Sequence, residues 1–135
     1  MTFKTLLLPA LFALLAFGGC AGKPAGPVPE KAVYTQISQE EAARIMAEEE
    51  DFILLDVRTE EEFAAGHIPG AICLPVDDIG TEKPEILPDT AQTVLVYCRS
   101  GRRSKIAAQT LAALGYTDVR EFGGILDWTG DVVTQ

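Results

Sequence analysis

Two stretches of the chain are apolar and of strand length: Phe52-Ile53-Leu54-Leu55, closing on Asp56-Val57, and Thr93-Val94-Leu95-Val96-Tyr97, closing on Cys98. A strand with one wet face alternates apolar and polar residues. A continuous run predicts burial on both faces, as in a parallel sheet. Shorter runs predict an edge strand over Val33–Ile37, a third strand over Ala71–Leu74 and a last strand over Asp118–Phe122. Between them the apolar period changes to that of a helix. Ser38-Gln39-Glu40-Glu41 has the spacing of a capping box and precedes Ala42, Ile45 and Met46; Thr59-Glu60-Glu61-Glu62 repeats that spacing before Phe63, Ala64 and Ala65. Ala107, Thr110, Leu111 and Leu114 line one face of a third helix, with Gly115 placed to cap it. Strands alternating with helices define an α/β fold, here a mainly parallel sheet of about five strands flanked by helices on both faces.

The remaining segments of the domain fill in around these elements. Glu48-Glu49-Glu50-Asp51 sits at the end of the first helix, opposes its dipole and predicts fraying there. Gly66-His67-Ile68-Pro69-Gly70-Ala71 is rich in turn residues, and His67 is expected to orient that turn. Residues 75–92, with Pro75, Pro84 and Pro88, predict a loop with at most a short helical turn. Cys73 and Trp128 read as core.

The amino-terminal quarter is of a different kind. Residues 1–19 carry Lys4, a nearly unbroken apolar run from Leu6 to Phe17 and the small pair Gly18-Gly19, the layout of a secretory signal peptide. Residues 20–34 hold Cys20 and three prolines, Pro24, Pro27 and Pro29, and predict a semi-extended tether. The folded domain is then expected over residues 35–135.

Composition narrows the partners. The 135-residue chain is 47% hydrophobic, enough for one packed core. Its net charge of −9 argues against a nucleic-acid partner, which needs a basic face. Three widely spaced cysteines (Cys20, Cys73, Cys98) and one histidine give neither a disulfide framework nor a metal-binding pattern, so no metal and no cofactor are assigned.

Against this acidic background four of the eleven basic residues, Arg99, Arg102, Arg103 and Lys105, lie within seven positions after Cys98. A strand, a short loop and a helix start bring loop and first-turn N–H groups toward one point. A thiol titrates near pH ~8.5, and helix N-termini and cations lower that value. A drop of about two units needs roughly 2.7 kcal/mol. A cation at about 4 Å supplies up to about 4 kcal/mol at an effective dielectric near 20, and the helix end a further ~0.3–2. Cys98 is therefore expected to be a thiolate nucleophile, the alternative being a small apolar residue at a strand end. Asp56 and Arg58, at the carboxyl end of the second strand, are expected to pair with each other or with neighbours and support the loop.

Together these pieces resemble the rhodanese-like family of single-domain sulfurtransferases. The resemblance rests on Asp56-Val57-Arg58, on Gly66-His67-Ile68-Pro69-Gly70-Ala71, on Cys98-Arg99-Ser100-Gly101-Arg102-Arg103-Ser104, and on Gly123-Gly124 followed by Trp128. It implies a catalytic Cys98 that carries sulfur as a persulfide, and a substrate-binding loop of Arg99, Ser100, Gly101, Arg102, Arg103 and Ser104. It also implies a small anionic donor such as thiosulfate and a cyanide, thiol or protein-cysteine acceptor; a monomer is expected. Cysteine phosphatases resembling this fold place an arginine six positions after the cysteine, where this chain has Ser104. Two other readings stay open: an exported thiol-disulfide oxidoreductase using Cys73 and Cys98, and a sulfur-binding module without turnover.

Phe17-Gly18-Gly19-Cys20 further resembles the lipobox of bacterial lipoproteins, although Phe17 stands where an aliphatic residue is usual. It implies lipidation at Cys20 and a membrane-anchored domain facing the periplasm or the cell exterior. Ordinary signal cleavage and an uncleaved anchor are the alternatives.

Overall fold

The computed structural model describes residues 33–135; the expected export segment, Cys20 and most of the tether lie outside the described residues. The elements in chain order are β1 (Thr35–Gln36), α1 (Gln39–Glu48), β2 (Phe52–Asp56), α2 (Glu60–Ala65), β3 (Ile72–Cys73), β4 (Thr93–Cys98), α3 (Arg102–Ala113) and β5 (Val119–Gly124). Short 3-10 turns follow at Val76–Asp78 and Ile125–Asp127. The sheet is five-stranded in the order β1-β5-β4-β2-β3, and every pairing is parallel.

The uninterrupted apolar runs are central strands covered on both sides. Leu55, Val57, Val94, Val96 and Val119 pack with Ala107, Ala108 and Leu111 of α3. Leu54, Leu95, Tyr97 and Phe122 pack with Ala42 and Ile45 of α1 on the other face. Successive strand residues point to opposite faces, so each strand serves both clusters. Burying one such side chain stabilises by roughly 1.5–3 kcal/mol.

Helix ends follow the capping chemistry, with one departure. At α2 the Thr59–Glu62 box is complete: Glu62 N–H donates to Thr59 Oγ1 at 3.2 Å, and Thr59 N–H donates to Glu62 Oε2 at 3.0 Å. At α1 only half forms. Glu41 N–H donates to Ser38 Oγ at 3.0 Å, while the Glu41 carboxylate is drawn off by Arg44, at 2.6 Å. An i,i+3 ion pair on the exposed face competes there with the reciprocal cap. At the end of α3, Gly115 N–H donates to Ala112 O and Tyr116 N–H to Leu111 O, a Schellman closure.

Three strand lengths differ from expectation, β3 being Ile72–Cys73 where Ala71–Leu74 was expected. β1 shrinks to Thr35–Gln36, in register with Arg120 and Glu121 of β5, and Ile37 N–H adds one more bond, to Glu121 O at 2.9 Å. β5 instead runs on through Gly123 and Gly124, residues expected to begin the next segment. Val96 faces Glu121 while Cys98 faces Gly124, so β5 carries one extra residue in between. Gly123, at φ +92°, absorbs it as a bulge.

Candidate active site

Cys98 ends β4 and is 1% exposed. Arg99 and Ser100 turn the chain and Gly101 caps α3. The Gly101 N–H donates to Cys98 Sγ at 3.0 Å. Burial pushes the thiol's titration up, but the hydrogen bonds its thiolate form accepts from the Ser104 hydroxyl and from the amides of Ser104, Gly101 and Ser100 outweigh it. The net effect holds Cys98 below the ordinary thiol value. The Ser104 hydroxyl and the loop's backbone dipoles, rather than the neighbouring arginines, do the lowering.

The bulged end of β5 holds the loop in place. A side chain at Gly124 would put its Cβ 2.1 Å from Arg99 O, so only glycine admits the loop this close. Just beyond, Leu126 N–H donates to Arg99 O at 3.2 Å.

The basic residues of the loop divide into two kinds. Arg99, Arg102 and Lys105 are exposed at the rim, with Ser100 beside them. Arg103 is half-buried and turns to α2, where it donates to Glu62 at 2.7 and 3.0 Å. Hydrogen bonds from Arg103 pull the Glu62 carboxyl down to about 2. Ser104 is fully buried and faces inward: its hydroxyl lies 3.5 Å from Cys98 Sγ, 2.6 Å from Glu121 Oε1 and 2.9 Å from Gly101 O.

Asp56 and Arg58 do pair with each other, both buried, through contacts of 2.9 and 2.6 Å. Arg58 also donates to Gly66 O at 2.7 Å and lies over the Tyr97 ring, 5.8 Å from its centroid. Tyr97 immediately precedes Cys98 and accepts Ile68 N–H on its hydroxyl at 3.1 Å. The pair therefore braces the turn over 66–70 and the end of β4 together. His67 fixes the same turn: its Nδ1 lies 2.8 Å from Phe63 O and its ring stacks on Phe63.

Cys73 is in a different environment. It is half-buried beside Arg58 O, at 3.6 Å, and burial pushes its thiol up to about 11. Trp128 is half-buried against Phe122 rather than sealed in the core.

Glu121 was not among the expected site residues, although it is 2% exposed and reaches Ser104. The available signal was parity. Within β5 it shares a sheet face with Val119, which packs toward α3, so an acid there had to be buried.

The fold is a parallel α/β sheet with a buried cysteine held between a strand end and a helix start, its Sγ met by a loop amide. The sequence profile of the rhodanese-like domain matches residues 38–131, and the chain belongs to that family. It is 40% identical over 94 residues to a sulfurtransferase of Allochromatium vinosum, covering 69% of this chain and 86% of that one. It is 38% identical over 73 residues to the thiosulfate sulfurtransferase PspE of Escherichia coli, covering 54% of this chain and 70% of that one. Among solved structures, a rhodanese with anions from E. coli superimposes with a TM-score of 0.56 at 36% identity, covering 62% of this chain and 99% of that one.

Proposed function

We propose that this protein is a sulfurtransferase that moves sulfane sulfur from a small anionic donor such as thiosulfate to a thiophilic acceptor. The observation that carries the reading is the convergence of loop amides on Cys98 Sγ, with Gly101 N–H at 3.0 Å. The Cys98 thiolate attacks the outer sulfur of thiosulfate, the S–S bond breaks, and sulfite leaves with its electron pair. Cys98 then carries the sulfur as a persulfide anion. Cyanide or a thiolate attacks the outer sulfur, the persulfide S–S bond breaks, and its electron pair returns to Cys98 as thiolate. Two half-reactions replace one difficult transfer.

The loop residues take separate parts in this scheme. The amides of Ser100, Gly101 and Ser104 neutralise the anion at each stage, in the manner of an oxyanion hole. Arg99 and Arg102 at the rim draw the donor in, while Arg103 is tied to Glu62 and holds the start of α3. Asp56 and Arg58 act as loop support. Without an arginine at 104, a bidentate grip on phosphate is missing and the phosphatase reading loses its central residue.

The oxidoreductase reading is disfavoured by topology. Asp56 of β2 pairs with Cys73 on one side and with Tyr97 on the other, so β2 separates the two cysteine strands. Two strand spacings make about 9.5 Å. A disulfide needs Cα atoms within about 7 Å.

We also propose export, with residues 1–19 removed and Cys20 lipidated, so that the tether holds the domain off a membrane surface. One acyl chain anchors only marginally, and two or more make the attachment stable.

The functional test is thiosulfate:cyanide sulfur transfer by the purified protein. Activity lost in Cys98→Ser and kept in Cys73→Ser is the expected pattern. Equal activity in Cys98→Ser would overturn the reading.

A further inference from the structure

Glu121 is a carboxyl group inside the sheet that, among the described residues, has no ion-pair partner. It is 2% exposed, and the ion pairs among the described residues all use other carboxyls. Its partners are neutral: Oε1 accepts from Ser104 Oγ at 2.6 Å and from Gly123 N–H at 2.8 Å, and Oε2 accepts from Gln36 Nε2 at 3.3 Å. A buried carboxylate without a cation is costly, and such groups sit where their charge is used.

The charged neighbours face away from it or are occupied. On β5 itself, Arg120 points to the opposite face and pairs with Asp118 at 2.8 Å. On β1, Thr35 and Gln36 are uncharged. On α3, Arg103 is engaged by Glu62. From β4, the titratable group that reaches toward Glu121 is Cys98, through Ser104. The thiol donates to Ser104 Oγ at 3.5 Å, and the Ser104 hydroxyl donates to Glu121 Oε1 at 2.6 Å, a continuous chain of donors from sulfur to carboxylate.

We propose that Glu121 is a positioning residue that, through Ser104, takes up the proton Cys98 gives up when it becomes a nucleophile. The step is an exchange within the fold. The Cys98 S–H bond breaks toward Ser104 Oγ as the Ser104 O–H bond breaks toward Glu121 Oε1, and the S–H electron pair stays on sulfur. One negative charge moves from carboxylate to thiolate and no proton reaches solvent. Afterwards Glu121 donates to Ser104 Oγ and Ser104 donates to the sulfur anion, so the same hydroxyl that carried the proton now stabilises the product. One anion, rather than two, is present in the pocket after the exchange. This deepens the sulfur-transfer reading and rests on its assignment of Cys98 as nucleophile.

The test is the pH profile of Cys98 alkylation by iodoacetamide in the full chain, located by peptide mapping, in wild type and Glu121→Gln. Two coupled groups lose their protons in two macroscopic steps. Wild type is expected to show a partial plateau followed by a second rise. Glutamine cannot take the proton, while its amide oxygen still accepts from Gly123 N–H and the Ser104 hydroxyl in place of Oε1. The variant is expected to show one step, complete about one unit or more below the second wild-type step. Superimposable single-step profiles would overturn the proposal. Should Glu121→Gln not fold, wild type alone decides by infrared difference spectroscopy alongside thiolate absorbance. A carboxylic acid C=O band that coexists with thiolate at the plateau supports the exchange; a band gone before any thiolate appears contradicts it. Neither readout uses a sulfur donor, so failure of sulfur transfer would leave the relay standing, and an uncoupled profile would leave the persulfide reading standing.

Discussion

Arg103 and Glu62 form a two-point ion pair, at 2.7 and 3.0 Å, that ties the start of α3 to the start of α2. Glu62 also closes the α2 capping box, so one carboxylate fixes both a helix end and the loop arginine. Glutamine is accepted at that box position. Glu62→Gln therefore isolates the ion pair, and an expected loss of about 0.5 kcal/mol at neutral pH reflects a pair that is still partly open to solvent. The folded carboxyl titrates at about 2, against 4.5 ordinarily. Its contribution is present in full above pH 4.5 and lost as pH falls toward 2. Denaturant unfolding of the two proteins should converge over that window. A difference that grows on acidification would contradict the assignment.

The two thiols of the domain should react very differently. Hydrogen bonds hold Cys98 low and burial raises Cys73 to about 11. At neutral pH limiting iodoacetamide should label the Cys98 peptide and leave Cys73 unmodified, as read by peptide mass mapping. Preferential labelling of Cys73 would show that the loop does not activate its cysteine.

Gly124→Ala places a Cβ 2.1 Å from Arg99 O, against backbone that has to move. The expected result is a stability loss of about 1–3 kcal/mol. Sulfur transfer should fall with it, because Leu126 N–H and Arg99 O can no longer meet at 3.2 Å. Wild-type stability by thermal unfolding would show that the close approach carries nothing.

The anchor is tested by labelling with radioactive palmitate in a bacterial host. Label on the wild-type chain, its loss in Cys20→Ser, and processing that is sensitive to globomycin are the expected results. An unmodified Cys20, or cleavage elsewhere, would return the segment to ordinary export.

Much of this architecture was readable from the residues, and the misses have physical causes. Phe52–Val57 and Thr93–Cys98 announced central parallel strands because burial on both faces leaves no polar alternation to blur the signal. Gly123 and Gly124 hid the end of β5, since glycine carries no strand preference and its use here is a backbone approach visible only in three dimensions. The Cys98 loop was legible as a cluster of charge. Its cations, though, do less than its amides, and Arg103 faces a carboxylate some forty positions earlier in the chain. Glu121 was overlooked because its meaning depends on which face of β5 meets Ser104, a contact across 17 positions.

The central claim, a sulfur anion at Cys98 that takes and releases one sulfur atom, is tested most directly by intact mass of the purified protein before and after thiosulfate. The mass should rise by a single sulfur, map to the Cys98 peptide and return to its starting value on adding cyanide. An unchanged mass under thiosulfate, with Cys98 free and reduced, would contradict the account.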